Sequence, residues 1–256
     1  MRHLVIPDTQ VKPDDKIDHL VWAAKYAVDK KPEKIIFLGD HWDMASLCTY
    51  DYGTKGFEGR SYLADIEAGN HALDMFMAPI LVEQARQRYN KHKVWNPELD
   101  ITLGNHEYRI ERAINSDRKL DGLLTYEDFN LKKYGFNIYP FLEVVVLDGI
   151  AYSHYFTSGV MGRPVSSARL MLNKKHMSCV MGHVQDRDIA FGKRADGTQM
   201  TGIFGGIFYQ GDQDYLTPQT NGSWSGIWMF NDVHDGAFDE MPISMDYLRK
   251  KYGERK

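Results

Sequence analysis

The sequence predicts an α/β protein in which two facing mixed β-sheets are flanked by helices. Three observations lead there. Apolar runs such as Leu4-Val5-Ile6 and Ile35-Ile36-Phe37-Leu38 are short and uninterrupted, as expected of strands buried on both faces. Stretches with helical spacing separate these runs in the first half of the chain, giving the order β-α-β-α-β. Three Asp-Gly pairs, Asp148-Gly149, Asp196-Gly197 and Asp235-Gly236, each join two runs of strand character, which is a hairpin signal.

Taken in order, Leu4-Val5-Ile6 is the first strand, and a helix is expected from about Lys16, capped by Asp15, to Lys30. Leu20, Ala23, Ala24 and Ala27 keep the helical spacing, and Pro32 closes that helix. The strand from Lys34 completes a β-α-β unit with an expected right-handed crossover. Met44 to Arg60, carrying Gly53, Gly56 and Gly59, reads as a long irregular loop over the strand ends. A long helical pattern runs from Tyr62 to about His92, with a break or kink expected at Pro79. Ile101-Thr102-Leu103 is the next strand, followed by a polar helix with Arg109, Glu111 and Arg112.

Tyr126 to Lys133 reads as a short helix, Asn137 to Leu147 and Ile150 to Tyr155 as a hairpin, and Ser166 to Lys174 as a further helix. The Cys179 strand follows, then two more hairpins, Arg187–Arg194 with Gln199–Phe208 and Trp224–Val233 with Ala237–Ile243. The three hairpins imply a second, largely antiparallel sheet. With 256 residues and no linker, repeat or low-complexity segment, one domain spanning residues 1–256 is expected.

Composition bounds the setting. A 43% hydrophobic and 26% charged chain is ordinary for a soluble globular protein, and a net charge of -4 argues against a generally basic, nucleic-acid-coating surface. Cys48 and Cys179 sit in unrelated contexts, so no disulfide framework is expected. No secretory h-region and no apolar stretch near ~18 residues is found, so a cytoplasmic protein without a membrane partner is expected. The oligomeric state is not legible.

The functional signal lies where apolar runs stop. Leu4-Val5-Ile6 runs into Asp8 and Gln10, and Ile35-Ile36-Phe37-Leu38 into Gly39-Asp40 and Asp43. Ile101-Thr102-Leu103 runs into Gly104-Asn105-His106-Glu107, the strand after residue 150 ends on His154, and Cys179-Val180-Met181 runs into Gly182-His183 and Gln185. Ligands bind outside the carboxyl ends of strands in open α/β sheets. Oxygen and imidazole donors delivered to one sheet edge make a metal site.

These five pieces, in this order, resemble the calcineurin-like metallophosphoesterases over residues 1 to about 185. Gly-Asn-His-Glu is the most specific of them, and the tail around Trp224-Ser225-Gly226 looks most like bacteriophage-encoded members. The resemblance implies a four-layer α-β-β-α sandwich and hydrolysis of a phosphate ester by a metal-bound water. By position, Asp40 would bridge two metals, with Asn105, His154 and His183 completing the second site and Asp8 serving the first. His106 would be the catalytic imidazole and Glu107 would orient it. The family usually carries histidine where this chain has Gln10 and Gln185. Two amides in place of two imidazoles leave the first site weak and rich in oxygen, favouring Mn²⁺ or Mg²⁺ over Zn²⁺, with Fe²⁺ also compatible. One tight and one loose site are expected.

Some residues keep two readings. Asp43 suits an indirect role as well as ligation, and Arg109, Arg112 and Arg118 suit helix-surface pairing as well as a phosphate. Trp42, Tyr50, Tyr155, Phe208 and Tyr209 suit packing or stacking on a base. His41, His71, His176 and His234 match no motif and read as ordinary polar residues. The expected substrate is a phosphodiester of a nucleotide or nucleic acid such as DNA. A phosphomonoester, or metal binding with weakened catalysis, are the alternatives.

Overall fold

The computed structural model describes residues 1–51, 53–210 and 223–253. One sheet has six strands in the order β11-β10-β1-β2-β3-β4 and the other has five in the order β5-β6-β7-β9-β8. In the first, β1 (His3–Ile6), β2 (Lys34–Phe37), β3 (Glu98–Thr102) and β4 (Asn137–Tyr139) are parallel. β10 (Gly226–His234) extends it antiparallel to β1, and β11 (Ala237–Ser244) pairs antiparallel with β10. In the second, β6 (Ile150–Ser153), β7 (Cys179–Met181) and β9 (Gln199–Gly205) are parallel. The edges β5 (Val145–Leu147) and β8 (Arg187–Lys193) are antiparallel to their neighbours.

The alternation of side chains along each strand sorts the core into layers. Leu4, Ile6, Ile35 and Phe37 pack with Leu20, Ala24, Leu73 and Phe76, from helices α1 (Asp18–Lys30) and α2 (Tyr62–Tyr89). The intervening Val5 and Ile36 face the other way and meet Tyr152, Val180 and Ile203 of the second sheet. The far face of that sheet, through Ala151, Cys179 and Phe204, packs on Met171 and Leu172 of α5 (Ala168–Lys175). The layers are therefore helices, sheet, sheet, helix, as the sequence predicts.

Several expectations change. Asp15 does not cap α1; its carboxylate accepts the Lys12 N–H at 2.9 Å, and Ile17 holds the cap position. Helix α2 runs unbroken through Pro79, because a proline costs a helix one backbone hydrogen bond and a local bend rather than its continuation when both flanks are packed. The predicted loop from Met44 to Arg60 contains three single 3₁₀ turns, and its residue 52 lies outside the described residues. The predicted helix at 126–133 is a 3₁₀ turn followed by α4 (Leu131–Tyr134), while the polar helix is α3 (Arg109–Ser116). A final helix, α6 (Met245–Tyr252), was not expected.

The second sheet is mixed rather than largely antiparallel. The Asp-Gly turn fixes how two adjacent strands pair, not which sheet receives them, and β10–β11 joins the first sheet. The run from Asn137 to Leu147 is two strands in two sheets, since Pro140 and the turn around Leu142 carry the chain across. No helix among the described residues is long and apolar enough to cross a membrane.

Candidate metal centre and active-site cleft

The predicted site residues lie in the loops beyond strands, except Arg109, which opens α3. Asp8 and Gln10 follow β1, and Asp40 and Asp43 follow β2. Asn105, His106 and Glu107 follow β3, His154 follows β6, and His183 and Gln185 follow β7. Parallel strands in both sheets bring these ends together.

The loops there are held in uncommon conformations. Gln10, Asp40, Met44 and His183 all have positive φ, at 39°, 48°, 50° and 63°. Such strain persists where surrounding structure over-determines it. Glu107 supplies much of that determination. Its buried carboxylate accepts backbone N–H groups from Asp40, His41, Trp42 and Gly104 at 3.0, 2.6, 3.1 and 2.7 Å. Glycine supplies the rest: a Cβ on Gly104 would stand 2.1 Å from Asp40 Oδ1, and one on Gly182 2.2 Å from Asp8 Oδ1. Neither loop closes over its carboxylate with a larger residue.

Ligand atoms of Asp40, His154 and His183 lie within 4.8 Å of one another. Asn105 Oδ1 joins them, 2.9 Å from His154 Nε2 and 2.7 Å from His183 Nδ1. His154 Nδ1 donates to the Leu38 carbonyl at 2.8 Å, which directs Nε2 at Asn105 and at Asp40 Oδ2, 3.3 Å away. Three oxygen acceptors around one buried imidazole demand a positive charge, brought by a proton or by a metal ion. Burial opposes a charge on His154, but Asp40 outweighs it and pushes the ring up to about 9. Burial likewise opposes the Asp40 carboxylate, yet His106 and His154 hold it well below the usual range. His183 is lowered to about 4, chiefly by burial and then by His154, so it presents a neutral imidazole. One anion, one amide oxygen and two imidazoles match a transition-metal ion in both charge and donor type.

Asp8 stands beside this cluster. Its carboxylate accepts the His183 N–H at 3.1 and 3.0 Å, and burial pushes it up to about 7, with Asp40 adding to the rise. Gln10 is buried and Gln185 half-buried, and both line the same cleft as Asp40, Asn105 and His183. The cleft has a volume of about 1010 Å³ and is lined also by Ala45, Tyr50, Arg60, Ser61 and Asp65.

His106 is fixed from the other side. Its backbone N–H donates to Asp40 Oδ1 at 2.9 Å, and its ring Nδ1 lies 2.9 Å from Asp43 Oδ1. Arg109 reaches the Asp43 carbonyl at 2.7 Å, and its second terminal nitrogen lies 3.2 Å from His106 Nε2. Burial works against a charged His106, but Asp40 and then Asp43 raise it above its ordinary value. The expected orienting role of Glu107 is thereby corrected. Glu107 spends both oxygens on four backbone amides, and the carboxylate on the His106 ring belongs to Asp43.

Sequence reading missed His41. Its Nδ1 lies 2.7 Å from Thr9 Oγ1 and its Nε2 3.0 Å from the Gly69 carbonyl, so one buried imidazole ties two site loops to α2. Burial keeps it neutral by lowering it to about 4. Trp42 is fully buried and stacked on Phe129 at 4.1 Å, which makes it core and removes it as a base-stacking residue. Its neighbours Asp40 and Asp43 were legible, whereas the packing partners came from distant segments with no local signal.

No protein-family model matches this chain, and no curated protein sequence matches it significantly. Among solved structures, a phosphoesterase from E. coli, YfcE, aligns over 96% of this chain and 100% of its own, at 12% identity and a TM-score of 0.36. That likeness is too low to bear on the site.

Proposed function

We propose that this chain is a divalent-cation-dependent phosphoesterase acting on phosphodiesters of nucleotides or nucleic acid. The observation that carries the reading is the convergence of Asp40, Asn105, His154 and His183 beside an imidazole, His106, that Asp43 holds in place. Asp40, Asn105, His154 and His183 would hold one ion, and Asp8, with Gln10 and Gln185, would serve a second and weaker one. A divalent cation there supplies Lewis-acid stabilisation of phosphoryl charge and acidifies water.

The remaining chemistry belongs to side chains. Nδ1–H of His106 donates to Asp43, which fixes the tautomer and leaves Nε2 as the atom able to carry a proton into the cleft. Asp40 and Asp43 raise the ring, against burial and the nearby Arg109, which favours the protonated form that would hand a proton to the departing oxygen. Arg109, beside Nε2, is placed to meet a phosphoryl oxygen in the same space. The oxygen-rich character around Asp8, Gln10 and Gln185 favours Mn²⁺ or Mg²⁺. A cleft of about 1010 Å³ is far larger than one phosphate and supports a substrate with a substantial organic part.

The test is a hydrolysis panel with Mn²⁺, Mg²⁺ and excess chelator, comparing a diester, a monoester and single- and double-stranded DNA. Cation-dependent cleavage with the diester preferred is expected. Cleavage that survives the chelator, or none on any phosphate ester, contradicts the reading.

A further inference from the structure

Two half-buried rings, Phe141 and Tyr155, stand beside the imidazoles of His154 and His183, a third, Tyr108, stacks on Phe141, and none of the three lines the cleft. Tyr108 stacks on Phe141, with centroids 4.9 Å apart and planes 29° from parallel. Phe141 meets Tyr155 edge-on at 5.6 Å, and Tyr155 lies 4.7 Å from the His183 ring at 41°. Phe141 is also 6.1 Å from the ring of His154. The three come from separate places: the turn after Gly104-Asn105-His106-Glu107, the crossing between sheets, and the residue next to His154.

The crossing is unusual in itself. Leu142 has φ of +67°, a left-handed conformation that a leucine side chain disfavours. That backbone sets the preceding Phe141 between Tyr108 and Tyr155, and such strain concentrates where a side chain must be aimed. The Tyr155 hydroxyl donates to the Gly162 carbonyl at 3.3 Å, bringing the exposed Val160 and Met161 into the adjoining segment. An apolar margin therefore continues outward from the rings.

We propose that Tyr108, Phe141 and Tyr155 form a stacking shelf for one nucleobase of the substrate, outside the cleft and next to the metal ligands. The inference rests on the phosphoesterase reading and deepens it. A diester has an organic group on each side of phosphorus; the cleft houses one and the shelf receives the other. A monoester has nothing to place on the shelf. An aromatic face accepts any base, so the shelf confers preference for nucleotide diesters without sequence specificity.

The experiment compares two diesters with a common leaving group, the p-nitrophenyl ester of thymidylate and methyl p-nitrophenyl phosphate, in the presence of Mn²⁺. The ratio of their kcat/KM values cancels effects on the metal and on His106. Stacking contributes about 1–3 kcal/mol per base, so the ratio should fall roughly 5- to 150-fold in Tyr155→Ala and in Phe141→Ala. Tyr155→Phe should keep it, because the ring remains. A ratio unchanged in both alanine variants, or one lost equally in Tyr155→Phe, overturns the shelf. If wild type cleaves neither ester, the phosphoesterase reading fails on its own, and anisotropy of a labelled oligothymidylate with Mn²⁺ decides the shelf. Weaker binding in the two alanine variants then supports it, and absence of binding by wild type ends it.

Discussion

His106 and Asp43 are two residues from different strand ends that meet only in the folded site, and the pair carries the acid chemistry proposed here. Removing the imidazole in His106→Ala should lower kcat by ~10²–10⁴-fold, the usual share of general acid catalysis. Because the side chain of His106 is not among the converging ligand atoms, that variant should still bind Mn²⁺. Loss of the metal together with the activity would make His106 a ligand instead. Asp43→Asn should lower kcat by a smaller factor, since the ring would keep its place but lose the carboxylate that supports its charge. Equal losses in the two variants would mean that Asp43 does more than orient. At this scale the sequence revealed much. Asp40, Asn105, His154 and His183 each end an apolar run, and that position alone predicted their convergence. The Asp43–His106 bond was hidden because both residues had a local motif and neither motif says which carboxylate meets the ring. His41 was hidden for a different reason: its partners, Thr9 and Gly69, lie in other elements.

Glu107 acts on elements. Its carboxylate gathers amides from the loop after β2 and the loop after β3, and so fixes the spacing of Asp40 and Asn105. Glu107→Gln puts an amide where one carboxylate oxygen accepted N–H groups, leaving buried donors facing a donor. Charged hydrogen bonds contribute about 1.5–3 kcal/mol each, so a drop of at least ~2 kcal/mol is expected. Urea unfolding checks it: the midpoint should fall with an unchanged slope. A variant as stable as wild type would return Glu107 to the orienting role inferred from the motif. The parallel strands and their crossing helices were legible because a doubly buried strand has a distinctive run of apolar residues. The crossing at residues 140–144 was not, because a strand that changes sheets keeps its strand character on both sides of the turn.

At the scale of the whole molecule, buried histidines couple stability to pH. His19, 2% exposed on α1, packs its ring edge on Phe208 at 4.9 Å, joining the helix layer to the segment after β9. Burial lowers it to about 3. The unfolded chain takes up this proton below ~6.5 and the folded chain does not, so the contribution of His19 to stability falls as pH drops from there towards 3. His41, lowered to about 4 by burial, adds in the same direction. Asp8 and His154, both raised, act in the opposite direction, so the test is the change caused by the substitution. Between pH 7 and pH 5 the urea midpoint of His19→Gln should fall less, or rise more, than that of wild type, and an equal change in both proteins would remove His19 from the account. The two sheets and their helices converge on one outcome, a set of strand ends whose donors are proposed to hold a cation. Isothermal titration of the chelator-treated chain with Mn²⁺ tests that most directly. One tight event, lost in His154→Ala and weakened in Asn105→Ala, followed by a loose one attributable to Asp8, Gln10 and Gln185, is the result predicted. Two equally tight events would contradict the inequality of the sites, and binding that ignores both substitutions would contradict the metal centre itself.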